Sequence, residues 1–417
     1  MSAVTRQFPG TQHRLYYGWA NLILAAVAMA GTLPGRTQGL GLITEPLMAG
    51  FQLDRVTFAS INLWATLIGS LFCLPCGRLV DRFGARMILT LVSGALGASV
   101  LAMSLAQDTF TLAAGITLTR GFGQSALSVV SLALVGKWFG RRLNYAMGVY
   151  ALLVSACFIA AFPGVGSAVL GYGWRPAWNG VGLALLLVLT PLAWLVGRDG
   201  PELTDGVTEF DAEEAAAGGS MPRDLTLGQA LRSASFWIFA LSSAMFGLVY
   251  SGISLFNQSI LEERGFDAAV FHSVLVVSTM LGLAANFIGG WLALRWPIQR
   301  LMGVGMALLA CALLALPLVR TLAHVYFYAA TMGIAGGVVT VVFFSVWGKV
   351  YGRSHLGKIQ GGAQTMTVLA SAVGPSLLAE TLARTGSYDA IFRGLAAAVV
   401  ALGIGSWFVR LPERSGS

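Results

Sequence analysis

Two apolar runs on either side of one short charged segment decide the fold class. Residues 56–77 read VTFASINLWATLIGSLFCLPCG, residues 78–86 read RLVDRFGAR, and residues 87–107 read MILTLVSGALGASVLAMSLAQ. Neither apolar run contains Asp, Glu, Lys or Arg. Each has the roughly 20 residues that a helix needs to cross the hydrocarbon of a bilayer. The pattern therefore predicts two membrane-spanning helices joined by a tight charged loop.

The same pattern recurs along the whole chain. Of the 417 residues, 56% are hydrophobic and only 11% are charged, whereas about 25% are charged in an average soluble protein. The mean hydropathy of +0.75 excludes a soluble enzyme. We expect an all-α membrane protein with twelve spans, at residues 18–47, 56–77, 87–107, 109–136, 143–174, 176–197, 233–261, 268–294, 301–319, 321–348, 359–379 and 394–409.

An internal repeat divides these spans into two sets of six. The string VGKWFGR at residues 135–141 is matched by WGKVYGR at residues 347–353, and Pro163 is matched by Pro375 at the same offset of 212 residues. Parallel repeats of this kind place the substrate of a transporter between the two halves. The predicted domains are an N-terminal half (1–197), a cytoplasmic linker (198–232) and a C-terminal half (233–417).

The distribution of basic residues predicts the orientation. Segments that share a side with the N-terminus hold 18 of the 26 Lys and Arg residues, and the loops on the other side hold six. Because basic loops stay in the cytoplasm, we expect both termini to be cytoplasmic, most simply in a bacterial inner membrane. This asymmetry explains the basic pI of 9.6 without a nucleic-acid partner.

The charged loop between spans 2 and 3 carries a specific resemblance. Its residues Gly77, Asp81, Arg82, Gly84 and Arg86 follow the spacing of the signature loop of the major facilitator superfamily. The resemblance implies the major facilitator fold, two pseudo-symmetric bundles of six helices. The spacing allows Asp81 to face the N-terminal end of a helix in the other half, and the resemblance implies that this loop is a cytoplasmic gate latch.

Three further strings resemble one branch of that superfamily, the oxalate/formate exchangers and monocarboxylate carriers. They are YGW at residues 17–19, GKWFGRR at residues 136–142 and YGWR at residues 172–175. This resemblance implies a small carboxylate as substrate. The branch usually has a basic residue deep in span 8 or span 11, and neither run of this chain contains one.

Two arginines inside the predicted spans point to the substrate. Arg36 lies midway along span 1 and Arg120 midway along span 4, where a charge is costly unless it faces protein or water. The resemblance places spans 1, 4, 7 and 10 around a central cavity, where two guanidinium groups favour an anionic guest. Alternatively, Arg36 binds unwound backbone near Pro34-Gly35, and Arg120 has a structural or proton-transfer role.

Other polar and aromatic side chains at matching depth complete the predicted site. Gln38 lies near Arg36, and Gln124 follows Arg120 by one helical turn. In the second half the candidates are Tyr250 and Asn257 of span 7 and Trp347 of span 10. For each aromatic residue, packing in the protein core is the alternative role.

Acidic residues are missing from the middle of spans 1, 4, 7 and 10, while Glu45, Glu380 and His272 lie near outer span ends. Proton-coupled carriers generally bind the proton on a buried carboxylate or histidine. The sequence therefore favours anion exchange (antiport) or downhill flux over obligatory proton symport.

Taken together, these patterns predict a transporter of small organic anions that works by alternating access. Efflux of hydrophobic drugs and a non-transporting membrane sensor are the alternatives. We expect no enzymatic activity, because the spans contain none of the metal-site or nucleophile motifs of enzymes. We also expect no cofactor or metal, and a monomer whose partners are the bilayer and a small organic anion.

Overall fold

In the computed structural model, residues 11–139, 143–199, 225–351 and 356–412 are described, with side chains for all of them except residues 11–16, 77–78, 81, 143–145 and 356–358. Within these ranges, twelve helices are long and apolar enough to cross a membrane. This confirms the all-α class and the predicted number of spans. We number these helices as spans 1 to 12: Tyr17–Gly35, Arg55–Cys76, Ala85–Ser104, Thr109–Trp138, Ala146–Tyr172, Trp174–Val196, Ala234–Glu262, Ala268–Arg295, Ile298–Leu318, Leu322–Tyr351, Ile359–Thr385 and Asp389–Phe408.

The chain forms two compact units. The first unit comprises Met1–Gly39 and Ile68–Glu202, and the second comprises Leu40–Leu67 and Leu203–Ser417. The second unit thus includes residues 40–67, which the sequence repeat assigns to the N-terminal half. The described helices are, in chain order, Thr11–Gly31, Thr37–Gly41, Thr44–Phe51, Arg55–Ser70, Cys73–Phe83, Ala85–Ser104, Thr109–Thr119, Ser128–Trp138, Leu143–Tyr172, Trp174–Ala184, Thr190–Val196, Leu227–Leu231, Ala234–Glu262, Ala268–Arg295, Ile298–Ala315, Leu322–Tyr351, Leu356–Thr385 and Asp389–Phe408.

Span 1 is shorter than the sequence predicts. A 3₁₀ turn at Leu33–Gly35 ends it, and Arg36 then has extended backbone angles (φ −87°, ψ 154°). Pro34 within this turn has no backbone N–H, so the helical hydrogen bonds cannot continue through it. The predicted remainder of the span consists of the short helices Thr37–Gly41 and Thr44–Phe51.

Span 12 is longer than predicted. Its helix runs from Asp389 to Phe408, which is 20 residues, rather than from Gly394. The predicted span starts at Gly394 because the charge-free run begins directly after Arg393. However, a charged side chain in the first turns of a spanning helix can reach the headgroup region. The helix is therefore long enough to cross a bilayer.

Both units contain the same lysine contact. Lys137 Nζ donates a hydrogen bond to the carbonyl of Val80 (3.1 Å), and Lys349 Nζ donates to the carbonyl of Ala293 (2.8 Å). Both acceptors lie near the C-terminal end of a helix, where carbonyl groups have no partner within their own helix and a cation is favourable. The repeat seen in the sequence is thus also a repeat of three-dimensional contacts.

Candidate functional site

The break in span 1 lies directly against span 4. A Cβ atom added to Gly35 would collide with the carbonyl oxygen of Thr119 and would lie 2.9 Å from the backbone nitrogen of Gln124. A Cβ on Gly123 would in turn lie 3.2 Å from the Gly35 Cα. Only glycine fits these positions without displacing backbone, so the two helices touch through their main chains.

Arg120 begins an eight-residue π-helical segment, Arg120–Leu127, in the middle of span 4. Its side chain is buried (2% exposed). Nη1 donates to the Gln124 Oε1 at 2.8 Å, the Thr37 Oγ1 at 3.0 Å and the Gly35 carbonyl at 3.4 Å. Arg120 therefore ties the non-helical turn of span 1 to span 4, and it supplies donors to backbone that has left the helix.

Arg36 lies between Gly35 and Thr37, two residues that Arg120 contacts, but it is in a different environment. Its side chain is half-buried. Nε donates to the Thr32 Oγ1 at 2.6 Å, Nη2 approaches the Met29 Sδ at 2.9 Å, and the guanidinium carbon lies 5.1 Å from the centre of the Phe158 ring. A hydroxyl, a thioether and an aromatic ring thus help to orient a guanidinium that is still partly exposed.

Two glutamines accompany the arginines in the first unit. Gln124 is exposed, and its Oε1 accepts the hydrogen bond from Arg120. Its amide nitrogen can donate to another acceptor at the same time. Gln38 is half-buried in the short helix Thr37–Gly41. The structure thus brings Arg120 and Gln124 together around the break in span 1, and it places Arg36 and Gln38 within two residues of that contact.

The predicted residues of span 7 lie in the second unit. Tyr250 is half-buried and stacks on Phe246, with ring centres 5.3 Å apart. Asn257 is 4% exposed, and its Oδ1 accepts a hydrogen bond from the Tyr328 hydroxyl at 3.2 Å. It follows Phe256, whose backbone angles (φ −110°, ψ 15°) kink the span. Tyr250 is therefore the more accessible of the two.

Trp347 is completely buried within the second unit. Its ring packs against Phe236 at 5.5 Å, and against Phe343 and Tyr351 at 6.0 Å each. These contacts correspond to the packing role that was the alternative for each aromatic residue. Trp347 is thus a packing residue of the second unit in this structure.

The charged loop between spans 2 and 3 turns at Gly84. This residue has φ +84°, which favours glycine, and it separates the helices Cys73–Phe83 and Ala85–Ser104. Arg82 is exposed and lies 5.2 Å from the ring centre of Phe83. The side chain of Asp81 and the surroundings of Gly77 lie outside the described part of the chain, so the latch role predicted for these residues stays a prediction.

Sequence reasoning missed Asp199, which it assigned to the linker. The Asp199 Oδ1 accepts a hydrogen bond from the backbone N–H of Arg86 (3.1 Å) at the start of span 3. The Arg86 side chain donates from Nε to the carbonyl of Trp194 (2.8 Å) and lies 4.3 Å above the centre of its ring. Asp199 thus acts as an anion at a helix N-terminus, which is favourable. Sequence reasoning expected that kind of contact from Asp81.

Comparison with known proteins identifies the family. The sequence model of one protein family, the Major Facilitator Superfamily, matches residues 16–375 and 258–417. The chain belongs to this superfamily. It is therefore a multi-pass membrane transporter of small molecules and not an enzyme, which confirms both the resemblance and the absence of enzymatic activity predicted from the sequence.

Curated relatives and solved structures agree with this assignment. The chain is 26% identical to monocarboxylate transporter 11 of Mus musculus over 395 residues, which cover 90% of this chain and 83% of that relative. It is 25% identical to the uncharacterized MFS-type transporter YhjX of Escherichia coli over 339 residues, which cover 77% of each. A bacterial homolog of the human lysosomal transporter Spinster, solved in an inward-facing, occupied conformation, has the same fold. Its TM-score is 0.67 at 16% identity over 96% of both chains.

Proposed function

We propose that this transporter carries small organic anions, carboxylates in particular, by alternating access. The observation that carries the proposal is Arg36, a half-buried guanidinium where span 1 loses its helix, which contacts the Thr32 hydroxyl, the Met29 sulfur and the Phe158 ring. A guanidinium in such a place can bind a carboxylate through two parallel hydrogen bonds. The relatives named monocarboxylate transporters support the same class of substrate.

The two arginines have different tasks in this proposal. Arg36 binds the anion directly, and Gln38 and the exposed Gln124 provide hydrogen bonds to it. Arg120 is a positioning residue, because its guanidinium is buried and bonded to Gly35 and Thr37. Tyr250 and Asn257 remain candidates for contacts from the second unit. Antiport, predicted from the lack of acidic residues deep in the spans, completes the proposal.

The test compares Arg36→Gln with Arg36→Lys in purified protein. We expect the Gln variant to lose about 30-fold or more in affinity for a radiolabelled monocarboxylate, because a charge-assisted contact in a water-restricted site contributes about 2 kcal/mol or more. The Lys variant keeps the charge but loses the two-pronged geometry, so it should bind more weakly than wild type and more strongly than Gln.

A neutral amide of the same shape as the carboxylate is the ligand control. It should compete poorly with the carboxylate for wild-type protein, and Arg36→Gln should remove that preference. Equal affinity of both variants and wild type for the carboxylate would exclude Arg36 from the site. Strong competition by hydrophobic cations instead would favour the efflux alternative.

We also propose that both termini lie in the cytoplasm and that the membrane is a bacterial inner membrane. The distribution of Lys and Arg between the two sides supports the orientation. The relative in Escherichia coli supports the compartment.

A further inference from the structure

Residues 40–67 are packed tightly within the second unit. Gly41 touches the carbonyl oxygen of Ser254 in span 7 so closely that any side chain at this position would collide with it. Ile43 and Leu47 are completely buried. The Ser376 hydroxyl of span 11 donates a hydrogen bond to the carbonyl of Ala59 in span 2 (3.3 Å). The segment therefore belongs structurally to the second unit, although the repeat places it in the first half of the chain.

A polar cluster joins this segment to span 7 and to the start of span 12. We call it the Glu45 cluster, and its members are Glu45, Arg55, Ser259, Glu263 and Tyr388. The Glu45 carboxylate lies 3.6 Å from the Arg55 guanidinium, and Arg55 Nη2 also donates a hydrogen bond to the Ser259 hydroxyl. Ser259 and Tyr388 are each only 1% exposed. Ser259 and Tyr388 thus form the buried part of the cluster, whereas Glu263 is exposed.

Among the residues that the structure describes, the carboxylates around Arg55 outnumber the neighbouring guanidinium groups. Glu262 and Glu263 act on Glu45 with like charge, and Arg55 is the cation that offsets them. The next guanidinium, Arg264, forms an ion pair with Asp389 at 3.2 Å. On span 11, Glu380 and Arg384 pair with one another at 2.6 Å. A shortage of positive charge of this kind favours the uptake of a proton.

The Glu45 carboxylate is the group best placed to bind this proton. Burial raises the pKa of the Glu45 carboxyl above its ordinary value, Arg55 lowers it, and Glu262 and Glu263 raise it again. A pocket of about 540 Å³, lined by Glu45, Asp54 and Arg55 and by Ala379 of span 11, gives water a route to the carboxyl. Burial raises the pKa of Tyr388 to about 12, so its hydroxyl stays neutral.

We propose that Glu45 is a proton-binding site whose protonation stabilises the packing of residues 40–67 against spans 7 and 11. Protonation removes the repulsion between Glu45 and the two glutamates at the end of span 7, and it leaves Arg55 to act on Glu263. The inference rests on the alternating-access part of the proposed function, in which residues 40–67 separate from spans 7 and 11 during the transport cycle. It does not depend on the substrate.

The direction of the pH effect follows from proton linkage. A carboxyl whose pKa is raised in the packed arrangement binds its proton more tightly there than in an arrangement where it is solvated. The packed arrangement is therefore fully favoured below pH 4.5, the ordinary pKa of a glutamate carboxyl. It loses this advantage as the pH rises through the raised pKa of Glu45. In the proposed orientation, Glu45 lies at the outer end of the transporter, so acid outside the cell closes that end. Because the site lies at one end only, the proton is sensed and is not carried across.

The experiment measures a distance across the pocket as a function of pH. Spin labels are attached to Ala49→Cys and Ala383→Cys, two exposed positions on opposite walls of the pocket, in protein whose four native cysteines are replaced by alanine. Double electron–electron resonance is recorded in liposomes without substrate from about pH 5 to about pH 8. We expect the ratio of the short to the long distance to fall several-fold over this range.

Glu45→Gln mimics the protonated side chain and should hold the short distance at every pH. Asp54→Asn is the matched control, because Asp54 lines the same pocket and lies in the same segment, residues 40–67. Asp54 is exposed, and backbone and side-chain hydrogen bonds from Thr57 lower its pKa, so it is ionised throughout the range and its replacement should leave the pH profile unchanged. Glu263→Gln removes one repelling charge and should move the midpoint to lower pH.

Distances in the wild-type protein that do not change with pH would overturn the proposal. A pH profile that persists in Glu45→Gln would also overturn it. If Glu45→Gln does not fold, a midpoint in Glu263→Gln that equals the wild-type midpoint would overturn it instead. The substrate assignment is tested separately, because these distances are measured without anion. A pH-dependent distance in a protein that binds no carboxylate would contradict the proposed substrate and would still support the Glu45 site.

Discussion

At the scale of single residues, two arginines with the same intramembrane setting in the sequence have different structural environments. Arg120 is 2% exposed and donates to protein oxygens on both sides of the break in span 1. Arg36 is half-buried, and its contacts include the Thr32 hydroxyl and the Met29 sulfur. The position of a residue along a span can be predicted from the sequence. The burial of each guanidinium group, however, depends on which neighbouring helix packs against it.

Arg120→Gln should therefore lower stability before it affects ligand recognition. The glutamine is too short to reach the Gly35 carbonyl and Thr37, and we expect a loss of about 1.5–3 kcal/mol, the contribution of a hydrogen bond to a charged group. Thermal unfolding in detergent, followed by tryptophan fluorescence, measures it. Arg36→Gln is the control and should unfold near the wild-type temperature. A reversed order of the two unfolding temperatures would contradict these roles.

At the scale of elements, helix ends decide how the loop between spans 2 and 3 is held. Gly84 supplies the left-handed turn, and Asp199 accepts the hydrogen bond from the first turn of span 3. The indole of Trp138 donates to the carbonyl of Arg198 (2.9 Å), and the Asn21 side chain accepts from the Arg198 backbone N–H (3.0 Å). The chain after span 6 is thus anchored to spans 1, 3 and 4 before the linker continues.

Replacement of Asp199 tests this anchor. We expect Asp199→Ala to destabilise the protein by about 1 kcal/mol, because the start of span 3 loses both an acceptor and a favourable negative charge. Asp199→Asn keeps an acceptor oxygen without the charge and should lose less. Unfolding temperatures in detergent at low and high salt separate the two contributions, since salt screens only the charge. If the Ala variant unfolds like wild type, Asp199 is not a capping residue.

At the scale of the whole molecule, the distribution of charge predicts which side each loop occupies. Alkaline phosphatase, a reporter that is active only outside the cytoplasm, can be fused after Ser417 or after Gly386, which lies in the turn between spans 11 and 12. With cytoplasmic termini, the first fusion should be inactive and the second active. The opposite pattern of activity would reverse the proposed orientation, and with it the side from which acid acts on Glu45.

The sequence by itself determined the class of this protein. Runs of apolar residues have to match the thickness of the bilayer, so twelve spans, the repeat, the superfamily and the two intramembrane arginines were all predictable from residue order. These features depend on composition and on spacing along one helix, and neither requires knowledge of which helices are neighbours.

The tertiary structure alone decided where each candidate residue lies and what it contacts. It buried Trp347 among aromatic rings and directed Arg120 to the backbone of span 1. It also placed Asp199 at the start of span 3 and Glu45 beside the glutamates of span 7. These contacts join residues more than 80 positions apart, or depend on a glycine that lets two backbones touch. The physical reason is that burial and hydrogen bonding depend on distance in space, which the order of residues does not specify.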